Sequence, residues 1–451
     1  MTSVPNPRPL LSGNKMLSFL LVFLIFISCD ATQRAKKTTY PNRPIPEKGQ
    51  HPKPKKDDTA TTPSPKQDTI VKPPVQTLPD GTLPNNRAVK VALILPFLTQ
   101  QFNESATNIN PKSDIAIQFY AGLKLAMEEA SYDQVPMDIS VIDSKASYSE
   151  TLNLQSNPDV INADIIVGPY RKKNAGLMAE YAVKQGKIMF SPFSEIQPTA
   201  LAGKGRVIQT FAGLETYMKA IVKHLIQTGD IANTIIIKRK NGQDNRAVNL
   251  LQKAFQQTGG IKTIPTIQEL EVDQSDLGFD KLDLKEILAV KPNTVFIIPV
   301  WKSPKYVTSI VRKIFVSRDP EESPTIVGMP QWVGFKNMDY QKLNDLHSII
   351  PTADVIAQDA STKAFAKKYY QAYHTLPGKN AYKGYDFGRY LVAFVKANRN
   401  GAFTLPDATN LFNNYHFKDT YNQVTDDLNN QPVLYQNDFV RMLRMENYQL
   451  R

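Results

Sequence analysis

The residues best suited to binding chemistry stand directly after short apolar runs. Asp164–Gly168 reads DIIVG, and Tyr170 and Arg171 follow it. A tyrosine ring can stack on a ligand, and a guanidinium can pair with a carboxylate or a phosphate through two parallel hydrogen bonds. The alternative is a surface turn in which the basic run 171–173 is solvated. The position therefore indicates two binding residues, and the solvated turn stays open.

Both tryptophans of the chain, Trp301 and Trp332, also stand just past predicted strands. Aromatic side chains near a cleft give a large contact area with a polar handle, and Gln331 beside Trp332 can supply an amide contact. The competing interpretation is packing in a core or between domains. Ligand contact and packing both remain open at these positions.

The sequence carries no recognisable catalytic or metal-binding pattern. Its five histidines lack the spacing of metal ligands. No GxSxG, GxxxxGK[ST] or GxGxxG motif occurs, and neither an acid–base pair nor a nucleophile–base pair emerges. We therefore expect a protein that is not an enzyme and that needs no metal and no cofactor.

The elements that must position these residues begin at Val89–Phe97, which reads VKVALILPF. An apolar run of this length, broken only by Lys90, fits a strand covered on both faces, as in a parallel sheet. Strands and amphipathic helices then alternate in two successive rounds. The predicted strands after the first are 137–143, 164–168, 187–192, 206–211, 234–238, 261–270, 294–300 and 325–329. The pattern predicts an α/β protein with two doubly wound parallel-sheet lobes, whose ligands bind beyond the carboxyl ends of the strands.

The first 29 residues read as an export signal. The apolar run from Leu17 to Cys29 is shorter than the ~20 residues of a transmembrane helix. Its end, Phe26-Ile27-Ser28-Cys29, resembles a bacterial lipobox, although Phe26 replaces the usual leucine. The resemblance implies cleavage before Cys29 and lipid attachment to it. An ordinary signal or a short anchor is the alternative; we favour lipidation because Cys29 is the only cysteine and ends the apolar run.

Residues 30–88 predict a disordered tether. The segment holds eleven prolines and few large apolar side chains, so it cannot bury enough surface to offset its ordering entropy. It also carries eleven Lys or Arg against six Asp or Glu, which explains part of the formal charge of +12. No basic stripe interleaved with aromatics appears, so no nucleic-acid partner is expected.

From about 89 to 445 the chain resembles the type I periplasmic-binding-protein family, in its leucine-binding-protein-like branch. That branch includes lipoproteins that resemble activators of penicillin-binding proteins. The most specific piece is Phe365, Tyr369, Tyr373 and Pro377 followed by Gly384-Tyr385-Asp386. The other pieces are 91–97, Phe119-Tyr120-Ala121-Gly122, Ala126, Asp143, 163–170, 190–195 and 209–211. The resemblance implies two lobes that close on a small ligand by hinge motion.

The resemblance also implies roles for individual residues. Ser191, Phe193 and Ser194 match the loop after the fourth strand, where hydroxyls meet the ligand; ordinary turn chemistry is the alternative. Tyr385 and Asp386 are expected to be structural, with Asp386 able to cap the following helix. Gly168-Pro169-Tyr170 followed by Arg171 replaces the small residue and the serine that are common after this strand in amino-acid binders. The departures at Arg171 and Trp332 put an amino acid as the ligand in doubt.

These observations predict four parts and one function. The parts are a lipoprotein signal (1–29), a tether (30–88), a first lobe (89–212 and 340–400) and a second lobe (213–335 and 401–451). We expect a lipid-anchored, solute-binding-like protein of the bacterial cell envelope that faces the periplasm, with the outer membrane favoured over the inner. Its expected partners are the membrane and a small polar ligand, amino-acid-like or a cell-wall fragment. The alternative is an envelope lipoprotein that regulates a peptidoglycan synthase.

Overall fold

The computed structural model describes most of the chain from residue 81 onward. The described residues are 81–102, 110–130, 135–197, 201–240, 242, 244–258, 267–357, 359–399, 402–420 and 433–451. The predicted signal with Cys29, and all but the end of the tether, lie outside them. So do residues 261–266 of the predicted strand 261–270. The prediction of disorder up to residue 88 is wrong for residues 81–88, because Leu83 is buried in the first-lobe core and Arg87 is paired with Asp164.

Strands and helices alternate along the described residues. The strands are β1 (Val89–Leu95), β2 (Met137–Asp143), β3 (Ile165–Val167), β4 (Ile188–Ser191), β5 (Arg206–Gln209), β6 (Thr234–Arg239), β7 (Gln268–Val272), β8 (Val295–Ile297), β9 (Thr325–Val327), β10 (Ile349–Thr352), β11 (Phe417–Thr420), β12 (Leu434–Asn437), β13 (Arg441–Glu446) and β14 (Gln449–Leu450). The helices are α1 (Asp114–Ala130), α2 (Tyr148–Leu154), α3 (Pro158–Ile161), α4 (Lys172–Lys184), α5 (Leu214–Thr228), α6 (Asn245–Thr258), α7 (Asp276–Lys281), α8 (Lys285–Val290), α9 (Pro304–Ser317), α10 (Tyr340–Asp345), α11 (Ala360–Tyr373) and α12 (Lys379–Asn398). None of the helices in these described segments is long and apolar enough to cross a membrane.

The strands form two sheets of seven, and each sheet with its helices is one lobe. The first lobe has the order β11-β12-β5-β4-β3-β1-β2, and the second has β14-β13-β10-β9-β8-β6-β7. Both sheets are parallel except where β11 pairs with β12, β13 with β10, and β14 with β13. The prediction of two α/β lobes built on mainly parallel sheets is therefore confirmed.

Strand β1 shows why an apolar run specifies this position. Six of its seven residues are buried, and only Lys90 is exposed. Val91, Leu93 and Leu95 belong to one hydrophobic cluster, whereas Ala92 and Ile94 belong to another on the opposite face. Burial on both faces is what a central strand of a parallel sheet requires, and β1 lies between β2 and β3.

The chain passes between the lobes three times, after β5, after β10 and after β12. This course differs from the predicted lobe bounds at two places. Residues 340–352 form α10 and β10, which belong to the second lobe and not to the first. In the tail assigned to the second lobe, β11 and β12 instead complete the first sheet beside β5. Strands of four residues carry too short an apolar pattern to specify which sheet they join.

Two glycines allow α1 and α12 to pack closely in the first lobe. A Cβ on Gly122 would lie 2.0 Å from the carbonyl oxygen of Ala381. A Cβ on Gly384 would lie 1.9 Å from the carbonyl oxygen of Phe119. Because any side chain at either position would force the helices apart, the two glycines fix the depth of α12 in the lobe.

Candidate functional site

An ion pair between the lobes shows which edges of the two sheets face each other. Glu195 lies in the segment after β4, and Arg246 lies in the first turn of α6, which follows β6. The Arg246 guanidinium donates to the Glu195 carboxylate at 2.8 Å, and Lys172 of the first lobe approaches the other carboxylate oxygen at 3.2 Å. The carboxyl ends of the strands in both sheets therefore face each other at the boundary between the lobes, which we call the interlobe cleft. Ligands of α/β sheets bind beyond such strand ends.

Four of the predicted site residues form one cluster at the first-lobe border of this cleft. The rings of Tyr170 and Phe193 meet edge to face with centroids 5.3 Å apart, and Phe193 meets Phe119 at 4.8 Å. The Ser191 hydroxyl donates to the carbonyl oxygen of Ser194 at 2.6 Å, and the Ser194 hydroxyl donates to the carbonyl oxygen of Tyr170. The Ser191 bond closes the turn after β4, whereas the Ser194 bond joins the loops after β3 and β4.

The turn that carries Tyr170 and Arg171 depends on a glycine. Gly168 adopts a φ of +87°, and a Cβ there would lie 2.3 Å from the carbonyl oxygen of Ile94. Only glycine combines this conformation with such a close approach to β1. Arg171 occupies the N-cap position of α4 without a side-chain capping bond, and its side chain is exposed. Tyr170 thus faces the cluster, whereas Arg171 stands at its solvated rim.

The other three predicted site residues belong to the second lobe. Trp332 is only 1% exposed, and its indole N–H donates to the carbonyl oxygen of Val300 at 2.8 Å. Trp301 is partly buried against the same hydrophobic core, and Gln331 is exposed. These contacts favour the packing interpretation for Trp332, because its ring is buried in the lobe and its indole N–H is already hydrogen-bonded there.

A buried polar network lies where the chain passes between the lobes, a region that we call the hinge. The Asp386 carboxylate accepts backbone N–H groups of Leu411, Phe412 and Asn413 at 3.1, 2.8 and 3.1 Å. The Asn437 amide donates to the carbonyl oxygen of Thr210 at 3.2 Å. Burial raises the pKa of Asp386 to about 6, against the opposing effect of the three N–H donors. The predicted capping role of Asp386 is wrong, because α12 begins at Lys379 and Asp386 lies in its interior.

In the second lobe, the buried cation near the end of β6 has an anionic partner. Arg239, at the end of β6, is bound to Asp244 at 2.5–3.2 Å, and both side chains are buried. Tyr306 lies close enough to this pair for the Asp244 charge to raise its pKa in addition to the larger effect of burial. Within the described residues, no group of three or more His, Cys, Asp or Glu side chains is arranged to hold a metal ion.

Three features of the cleft were missed by the sequence interpretation. Two of them are Lys383 and Phe211: the Lys383 ammonium lies 5.0 Å from the Phe193 ring centroid and 5.7 Å from that of Phe211. The interlobe pair of Glu195 and Arg246 was also missed. Lys383 directly precedes Gly384-Tyr385-Asp386, so its position beside a packing motif was the available signal. An ion pair between distant segments leaves no local pattern to find.

Comparisons with known proteins identify the fold. No family model matches the chain, and no curated protein does. Among solved structures, a protein described as a branched-chain amino acid ABC transporter from Rhodospirillum rubrum is similar at 12% identity with a TM-score of 0.57, over 81% of this chain and 99% of that one. The C-domain of LpoA from Haemophilus influenzae, a regulator of PBP1A, is similar at 13% identity with a TM-score of 0.51, over 80% and 98%. An ABC transporter substrate-binding protein from Desulfitobacterium hafniense gives 12%, a TM-score of 0.52, and 81% and 99%.

Proposed function

We propose that this chain, which has the type I periplasmic-binding-protein fold, is a solute-binding-like protein that holds a small polar ligand between its lobes. The observation that carries the proposal is the interlobe cleft itself. The Glu195–Arg246 pair sets the strand ends of both sheets opposite each other, and one border bears the Tyr170–Phe193 cluster. Solved structures of similar fold include a substrate-binding protein, so the arrangement suits ligand capture without catalysis.

The predicted site residues have different roles in this proposal. Tyr170 and Phe193 supply the ring surface that a ligand contacts, and Ser191 and Ser194 hold the two loops while their oxygens can still accept hydrogen bonds. Arg171 stands at the rim, where it attracts an anionic ligand. In the second lobe, Trp301 and Gln331 contribute the opposite surface, and Trp332 supports them from the core.

Lipid anchoring belongs to the same proposal. Cys29 ends the export signal and carries the lipid. The tether therefore connects the folded lobes to the membrane at the periplasmic face of the envelope. Fractionation of cells that express the wild type and Cys29→Ser tests this point. We expect the wild type in the membrane fraction and the variant outside it. Equal membrane association of both forms would contradict lipid attachment at Cys29.

A second function, regulation of a peptidoglycan synthase, is favoured by two observations. The predicted tether has 59 residues. It allows the lobes to reach further from the membrane than docking on a transporter in the same membrane requires. The LpoA C-domain, which regulates PBP1A, has the same fold. Co-purification of a synthase, combined with an empty ligand screen, would favour this function over solute binding.

A thermal-shift screen tests the main proposal. Amino acids, sugars and peptidoglycan fragments are added to the purified protein, and a ligand that binds the folded state raises its melting temperature by mass action. Tyr170→Ala is expected to reduce the shift. Tyr148→Ala, which removes an exposed tyrosine of α2, is the matched control and should leave the shift unchanged. A wild type that responds to no compound would contradict solute binding.

A further inference from the structure

Lys383 occupies a fixed position at the first-lobe border of the cleft. It lies in the second turn of α12, and its neighbour Gly384 packs against the carbonyl oxygen of Phe119 on α1. Since this close helix contact leaves no room for α12 to shift, the backbone of Lys383 is held in place. The side chain is partly buried. A lysine presented this way differs from the many exposed lysines of the protein.

Two phenylalanines flank the ammonium group. The Nζ of Lys383 lies 5.0 Å from the ring centroid of Phe193 and 5.7 Å from that of Phe211. Phe193 follows β4, and Phe211 follows β5 at the start of the first crossover between the lobes. The cation therefore stands beyond the carboxyl ends of two neighbouring strands, beside the cluster that contains Tyr170.

The ammonium group of Lys383 has no acceptor among the described residues. Over the part of the chain that the structure describes, no side chain or carbonyl forms a hydrogen bond or an ion pair with Lys383. Lys368 on α11, by contrast, is paired with Glu129 at 2.5 Å. Burial lowers the pKa of Lys383, and the more distant carboxylate of Asp354 opposes this effect. Burying an ammonium group partly away from water costs free energy when no anion replaces the lost water. The binding of an external anion at this point offsets that cost.

We propose that Lys383 is the anchor for the negative group of the ligand, and that the ligand is a small carboxylate with an apolar or aromatic body. The carboxylate meets the ammonium, and the body packs on the rings of Phe193 and Phe211. One partly offset positive charge suits the single charge of a carboxylate, whereas a phosphate requires more donors than Lys383 supplies. The inference rests on the proposed solute-binding function and specifies the ligand class for it.

Calorimetric titration with matched probe pairs tests this assignment. The probes are phenylacetate and 3-phenylpropionate, their neutral amides, acetate, and inorganic phosphate. They are added to the wild type, to Lys383→Met, which keeps the length of the side chain without its charge, and to Lys396→Met. Lys396 is an exposed lysine near the other end of α12 and serves as the control. Circular dichroism and the melting temperature verify that each variant is folded.

The expected result is a preference for aromatic carboxylates over their amides and over phosphate. Lys383→Met should weaken carboxylate binding about ten- to a hundredfold, as expected for the loss of a charge-assisted hydrogen bond, and should leave amide binding unchanged. Lys396→Met should match the wild type. Carboxylates that bind Lys383→Met as tightly as the wild type would overturn the anchor while the solute-binding function stands.

The remaining outcomes separate the two proposals. If neutral solutes bind the wild type and no carboxylate does, the anchor is wrong and solute binding is retained. If phosphate binds more tightly than every carboxylate in a manner that depends on Lys383, the assigned ligand class is wrong. If no probe and no compound of the thermal-shift screen binds, both proposals fail.

Discussion

The two lobes share one architecture but treat the strand ends that border the cleft differently. In the first lobe, Lys383 stands beside two aromatic rings and has no hydrogen bond or ion pair with any other described residue. In the second lobe, the cation at the end of β6, Arg239, is bound to Asp244 in a buried pair, and the indole N–H of Trp332 is used by Val300. The difference is that the first lobe leaves a partly buried cation without a hydrogen bond or ion pair among the described residues, whereas the second lobe neutralises the cation at the end of β6.

The largest effect that tests this comparison is expected from Trp332→Ala. The side chain is almost fully buried and packs against Gly328, so its removal leaves a cavity and an unpaired carbonyl oxygen at Val300. We expect the free energy of unfolding to fall by about 3–5 kcal/mol, measured by chemical denaturation. Tyr170→Ala removes a partly buried ring from the cleft border and should cost much less. Equal losses would mean that Tyr170 is as structural as Trp332.

The fold follows from sequence wherever an element is long or buried on both faces. Strand β1 is specified by its local apolar pattern, and it was predicted. The tail was not, because β11 and β12 are four-residue strands whose place depends on an open edge of the first sheet. Asp386 shows a related limit. Its carboxylate binds backbone groups about 25 residues further along the chain, and no local rule predicts such a contact.

The candidate site was predictable in its loops but not in its contacts. The rule that ligands bind at strand ends located Tyr170, and the family resemblance located Ser191, Phe193 and Ser194. The structure brings these four residues together. The same rule cannot tell a tryptophan at the cleft from one in the core, since Trp332 turns inward. The ligand role of all these residues stays a prediction.

The next largest effect is expected at Asp386 in the hinge, where the free energy of unfolding should depend on pH. Burial raises the pKa of Asp386 from its ordinary 3.8 to about 6 in the folded protein. The folded state therefore binds this proton more tightly than the unfolded state does. The resulting stabilisation is fully present below about pH 4 and is lost as the pH rises through about 6, on the order of 2–3 kcal/mol.

Denaturation curves for the wild type and Asp386→Asn between these pH values check the expectation, because the variant should lack this decline. Asp359→Asn is the control of opposite sign. Asp359 caps α11, and the backbone N–H of Thr362 lowers its pKa, so its stabilisation is lost as the pH falls. If the stability of the wild type has the same pH dependence as that of Asp386→Asn, the Asp386 carboxylate is solvated. The hinge would then be exposed to solvent, as the rim of the cleft is.

The smallest effect concerns the ion pair between Glu195 of the first lobe and Arg246 of the second. Arg246 is about half exposed, at 54%, so its attraction to Glu195 is screened and contributes only about 0.2–1 kcal/mol. A double-mutant cycle of Glu195→Gln and Arg246→Gln, measured by denaturation, should give a coupling energy in that range that decreases with added salt. The cycle of Glu195→Gln with Lys172→Gln is the control within the first lobe. If Glu195 couples only to Lys172, the second lobe is not held over the first by this contact, and closure must depend on the ligand alone.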